Sequence, residues 1–325
     1  MTKMYEDITK ALLSNSDNII GAIDRYLAKV DEDLEEQLKK EGFLEEKDTV
    51  EQVNSLEEQI SIALHSQTDN LINMLKEADQ EGIDEEELQR RISQMITADV
   101  IATNVQQATL GMYEVQIPQL ASVYMQESDQ ELVVDSLRER TSRWIENWSQ
   151  RLGELTKINT HQQITLLIED SISSGASIVN LTRKIQEGGW RNEYYQARRF
   201  ALTEVLRAHS VAREEAIQQS PAVDQKEWMH TGSHKNKPRS NHVDMDGQIV
   251  PKDQSFVLKG RDGNTYYPMY PRDSSLPAAE AVNCHCIHRG IVNEDILGLS
   301  YEERKAMQEE VIENDNVAWQ EEMNE

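Results

Sequence analysis

The sequence predicts a mainly α protein, with an elongated helical N-terminal region followed by a small irregular α+β C-terminal module with short strands. Three observations predict this. Apolar residues recur at steps of three and four along most segments before Pro221, the period of a half-buried helix. Between Gly260 and Pro277 the chain carries Gly260, Gly263, Pro268, Pro271 and Pro277, which is loop and edge-strand material. Five of the eight histidines and both cysteines fall between Trp228 and His288, the one stretch that does not read as helix. The expected organisation is a helical arm or partner-docking region (1–130), a helical scaffold with a long spine helix (131–220), a small α+β module with a Cys/His cluster (221–295), and an acidic helix and tail (296–325).

Composition narrows the function classes. The 325 residues suffice for about two domains. There are 59 acidic against 33 basic residues, a formal charge of -26, which argues against general coating of duplex DNA. No apolar run approaches the roughly 20 residues that span a bilayer, and MTKMYEDITK lacks the regions of a signal peptide, so a cytosolic protein without membrane contact is expected. In a reducing compartment, two cysteines one residue apart suit a metal or plain thiols better than a disulfide.

In chain order, Ile20, Ile23, Leu27, Val30 and Leu34 form a stripe stepping 3, 4, 3, 4. It predicts a helix that packs on a neighbouring helix or docks a partner protein, with Gly42 as a turn. Leu56, Ile60 and Ala63 share one helix face, as do Leu88, Ile92, Met95 and Ile96. Gly82 is expected to separate two helices and Pro118 to kink or end another. Leu137, Thr141, Trp144, Trp148, Leu152 and Leu155 line one face, with the two tryptophans as core. A break is expected near Asn159, then a helix ending at Gly175, then a short helix capped by Ser177 and ended by Gly188 and Gly189.

From about Asn192 to Gln219 a long helix presents Ala197, Ala201, Val205, Ala208, Ala212 and Ala216 on one face, small enough for another backbone to approach. Glu204 and Arg207 on this helix either pair with each other at i, i+3, or Glu204 reaches into the module to fix a loop. Pro221 ends the helix. Asp246-Gly247 predicts a hairpin turn with QIV as its second arm. Ser300 to Glu303 is a capping box that starts a last helix, whose end frays from about Asn314.

The Cys/His cluster suggests structural zinc, because thiolate and imidazole are its preferred ligands. Cys284, Cys286, His242 and His230 are the candidate ligands, with His234, His288 and Asp244 as alternatives; His285 should point away from a metal that the cysteines share. The competing reading is two buried thiols and surface histidines with loops held by hydrogen bonds. A catalytic metal would need an open position and a general base, and no residue here demands that role. Walker A, G-x-S-x-G and H-E-x-x-H signatures are absent, and no enzyme activity is expected. Between Trp228 and Arg261 six basic and three acidic residues give a local charge of +3; Lys235, Lys237 and Arg239 could meet DNA there, or simply be solvated.

The same stretch resembles the C-terminal module of the phage Mu F-like minor head proteins, also called phage head morphogenesis proteins. The residues that carry the likeness are Trp228, His230-Thr231-Gly232, Pro238-Arg239, His242, Met245-Asp246-Gly247-Gln248, Phe256, Tyr270 to Asp273 and Asn283-Cys284-His285-Cys286. Upstream, Ala201 to Glu204 and Arg207-Ala208 resemble the Thr-Glu helix that precedes this module in the family. The likeness covers about Leu155 to Val292. The family often has arginine where His285 stands. It implies a minor structural protein of a tailed-phage head, located in the virion at the head interior or portal vertex and in the host cytoplasm during assembly. It further implies several copies per assembly, the portal and/or major capsid protein as partners, local contact with genome DNA, and a part in head morphogenesis, packaging or ejection. Glu204, Arg207, Trp228, Arg239, Asp246, Gly247 and Asn283 are the expected structural supports. Two other classes remain as alternatives: a metal-dependent nuclease or toxin-like effector carried in the particle, and a non-viral helical adaptor.

Overall fold

A computed structural model describes residues 30–174, 177–231 and 238–324, without the side chains of 171–173, 187–192, 194 and 324. Ile20, Ile23, Leu27, Gly175, His234, Lys235 and Lys237 lie outside the described residues.

The fold is mainly α, with short antiparallel strands confined to the C-terminal region. Helix α1 (30–40) ends in a turn at Gly42, whose φ of 79° favours glycine. Then come α2 (Glu46–Glu81), α3 (Glu85–Ala98), α4 (Ile101–Ser128), α5 (Glu139–Ser173) and α6 (Ile178–Gln219). Gly82 terminates α2 in the left-handed conformation, and its N–H reaches back to the carbonyls of Ala78 and Asp79. Ser177 caps α6 by accepting from Asn180 N.

Two apolar cores stack along the long helices. The larger joins Val53, Leu56, Ile60 and Leu64 of α2 with Tyr113, Ile117, Ala121 and Tyr124 of α4, Ile145 and Leu152 of α5, and the Ala197–Ala216 face of α6. The second joins Leu71 and Leu75 of α2, Leu88 and Ile92 of α3, Ile164 and Ile168 of α5, and Leu181 and Ile185 of α6. This pairing corrects three expected boundaries. Asn159 does not break α5, and Gly188-Gly189 do not end α6; both fall where a continuous helix passes from one core to the other. Burial on both sides outweighs the roughly 1 kcal/mol that each mid-helix glycine costs. Pro118 does not end α4, because Ile117, Leu120, Ala121 and Tyr124 around it are buried.

After α6 the chain forms the module. Strand β1 (Val223–Met229) lies between β2 (Ile249–Pro251) and β5 (Ile287–Val292), antiparallel to both. The short helix α7 (Ser240–Val243) and the Asp246-Gly247 turn connect β1 to β2. Gly247 has φ 77°, and its N–H bonds to Trp228 O at 2.9 Å. A separate hairpin pairs β3 (Leu258–Lys259) with β4 (Thr265–Tyr266), and α8 (Ala278–Ala281) precedes β5. Short α9 (Glu294–Leu297) leads to α10 (Tyr301–Asn324). Ser300 and Glu303 form the expected capping box. The fraying expected from Asn314 is corrected: α10 continues because Asp315 accepts from Arg138, Asn316 from Glu139 N, and Glu322 from Arg140, at the N-terminal entry to α5.

Candidate functional site: a Cys/His cluster clamped to helix α6

Helix α6 holds the module through buried polar groups. Glu204 and Arg207 pair at 2.7 Å, and Glu204 also accepts from Tyr113 OH at 2.7 Å and Trp148 Nε1 at 3.1 Å. Glu204 therefore faces the helical core, and it is Arg207 that reaches the module, donating to Arg272 O. Arg272 returns the contact: its guanidinium donates to Leu206 O at 3.0 Å and Ser210 Oγ at 2.6 Å. The same group donates to the carbonyls of Cys284 at 2.6 Å and Cys286 at 3.0 Å. Burial lowers the Arg272 pKa, while the neighbouring thiols act to raise it.

Those bonds fix the loop that carries both thiols. Asn283 takes φ 54°, and its N–H points to Thr203 Oγ1 of α6 at 3.4 Å. Beyond it the chain leads into β5, and alternation along a strand puts side chains two apart on one side and the one between them on the other. Cys284 and Cys286 enter the module core, while His285 turns outward to Glu41 Oε2 at 2.6 Å. The core around them contains Trp228, Met245, Phe256, Leu258, Leu276 and Ala281. Trp228 meets Phe256 and His242 edge to face, with ring centroids 5.3 and 6.2 Å apart.

His242, at the end of α7, completes the cluster. Its Nδ1 lies 3.5 Å from Cys284 Sγ and 3.7 Å from Cys286 Sγ. Its Nε2 lies 3.0 Å from Glu280 Oε2 of α8. Glu280 is itself held by Asn241 Nδ2 at 3.1 Å and Arg261 N at 3.0 Å. The hydrogen bond from Cys286 lowers the Cys284 pKa, with His242 and Arg272 adding to the effect, and the same pairing raises Cys286. His230, just past β1, places Nδ1 3.6 Å from Cys286 Sγ, and its backbone N–H bonds to Asp246 Oδ1 at 2.7 Å. A cavity of about 530 Å³ opens here, lined by His230, His242 and both cysteines together with Arg199, Arg239 and Arg261.

The remaining candidates sit elsewhere. His288 is not at the cluster: Glu214 of α6 takes its Nε2 at 3.1 Å, and burial lowers its pKa to about 4. Asp244 is exposed on the turn. Arg239 donates to Val282 O, so its guanidinium braces the module. Sequence reasoning missed Glu280, which carries no spacing signal, being 38 residues from His242 on a four-residue helix. It also missed Lys226, buried against Glu214 at 2.8 Å. Burial raises the Glu214 pKa, but Lys226 and His288 outweigh it and bring the value to about 2.

Sequence comparison relates the chain to known proteins. Residues 162–289, from the last third of α5 into β5, match the family described as Phage Mu protein F like protein. A relative in Bacillus subtilis (strain 168), the uncharacterized protein YqbB, is 32% identical over 309 residues, covering 93% of this chain and 99% of its own length. No solved structure matches the chain. The near full-length relative and the family match over residues 162–289 together show that the chain belongs to the phage Mu F-like family of phage head morphogenesis proteins.

Proposed function

We propose that this chain is a minor, non-enzymatic structural protein of a tailed-phage head, held at the portal vertex or capsid interior. Its part is in head morphogenesis, with packaging or ejection of DNA as the step it serves. The observation that carries the reading is the family match on residues 162–289, which falls on the joint between α6 and the module. That joint is built from interlocked buried groups, Arg207, Arg272, Lys226 and Glu214, which suits a part that transmits load. The formal charge of -26 favours protein partners over a coat of genome DNA.

Quantitative mass spectrometry of purified, DNA-filled particles, normalised to the portal subunit, tests the reading. A few copies per portal ring are expected. Absence from both filled heads and assembly intermediates would overturn it.

A further inference from the structure

Two thiols and an imidazole meet inside the module with the spacing of a metal's ligand shell. The ligand atoms of His242, Cys284 and Cys286 all lie within 4.8 Å of one another, and all three residues are buried. Tetrahedral zinc, with Zn–S of about 2.3 Å and Zn–N of about 2.0–2.1 Å, places sulfur and nitrogen ligands roughly 3.5–3.6 Å apart. The sulfur–nitrogen distances from His242 Nδ1 are 3.5 and 3.7 Å; His230 Nδ1 lies 3.6 Å from Cys286 Sγ but outside the group of three, so it would have to swing inward to serve as a fourth ligand.

Two further features suit a cation. Glu280 at His242 Nε2 selects the tautomer that donates to the carboxylate and leaves the Nδ1 lone pair facing both sulfurs, the carboxylate–histidine arrangement found behind metal ligands. Second, Nδ1 can accept from only one thiol as a hydrogen-bond partner, yet both sulfurs lie at nearly equal distance from it.

We propose that Cys284 Sγ, Cys286 Sγ, His242 Nδ1 and His230 Nδ1 bind one zinc ion. Binding replaces two S–H bonds by two Zn–S bonds and releases two protons to solvent. Two thiolates neutralise the dication, so the buried centre carries no net charge. The four ligands come from the end of β1, from α7 and from the loop before β5, and the ion would staple these three segments. The inference is independent of the role in the head.

The test uses the purified full-length chain under reducing conditions. Metal analysis is expected to give one zinc per chain, and cobalt substitution an intense near-ultraviolet sulfur-to-metal charge-transfer band. Both thiols should resist alkylation until a chelator is added. Glu280→Gln, which keeps every ligand, should weaken zinc binding about 10–100-fold, and His230→Ala should weaken it at least about tenfold. Less than a tenth of an equivalent of zinc after loading, no charge-transfer band, or a Cys284–Cys286 disulfide in the reduced preparation would each overturn the site. Unchanged affinity in His230→Ala would overturn the four-ligand assignment. The wild-type readings decide the matter even if a cysteine variant fails to fold.

Discussion

The helical body and the C-terminal module solve burial in different ways. In the body, four helices interleave aliphatic and aromatic side chains, from Val53 and Ile60 to Tyr113 and Leu152, along the alanine face of α6. The module's cluster is far smaller and includes both thiols; fully buried Lys226, Arg272 and His288 surround it. A single core in so small a unit supplies only about 3–5 kcal/mol. Burial of apolar area is non-directional and tolerates volume-conserving exchange, whereas a buried polar network holds only when each member is satisfied. The module's order therefore depends on geometry that α6 imposes from outside.

The largest expected effect breaks that dependence. Arg272→Leu removes the donor to three carbonyls and to Ser210, leaving the Cys284 and Cys286 carbonyls buried without it. Uncompensated buried polar groups of this kind cost about 3–5 kcal/mol. Chemical denaturation should report that loss. Hydrogen exchange should place it in β1 and β5, with α2 and α4 protected as in wild type. Equal loss of protection in α2 and α4 would make the two regions one cooperative unit.

The two regions also differed in how legible they were. The Ala197–Ala216 stripe, the Ser177 and Ser300 caps, the Gly82 terminator and the Asp246-Gly247 turn before β2 follow from local spacing, and the structure has each; the short hairpin expected at that turn is not formed, because helix α7 and not a strand leads into it, and β2 pairs instead with the distant β1. Helix continuity did not follow, because local signals at Asn159 and Gly188-Gly189 cannot register that two cores lie end to end. In the module, the crowding of His242, Cys284 and Cys286 was legible as composition. Their supports were not: Arg272 meets Ser210 across 62 residues, and His288 meets Glu214 across 74. Such contacts are set by how the sheet docks on α6, and no period in the sequence encodes them. His288 illustrates this, since residue type alone made it a candidate ligand and tertiary placement gave it to Glu214.

A smaller effect tests whether the body is as forgiving as its apolar core implies. Gly153 lets α5 approach the backbone of α4, and a Cβ there would sit 2.2 Å from Ala102 O. Alanine gains about 1 kcal/mol of helix propensity over glycine. The clash is with backbone and cannot swing aside, so overpacking of about 1–3 kcal/mol should win. Gly153→Ala is expected to lower the denaturation midpoint with hydrogen exchange in the module unchanged. A rise in stability would show that α4 and α5 slide freely.

The mildest test addresses the seam between the two regions. His209 of α6 sits between Thr49 Oγ1 at 2.8 Å and Tyr124 OH at 2.7 Å, with Phe43 packed edge to face against its ring. Burial, reinforced by Arg213 and Arg272, lowers its pKa from 6.5 to about 3. The unfolded chain thus takes up a proton near pH 6.5 that the folded chain refuses until about pH 3. Stability linked to neutral His209 is fully present above pH 6.5 and is lost as the pH falls toward 3. His209→Gln keeps hydrogen-bonding capacity without the titration. Its stability between pH 6 and pH 4 should fall less steeply than that of wild type, by up to about 1.4 kcal/mol per pH unit. Parallel slopes would mean that His209 takes up its proton in place, and that acid weakens the seam through the carboxylates of the Glu214 network instead.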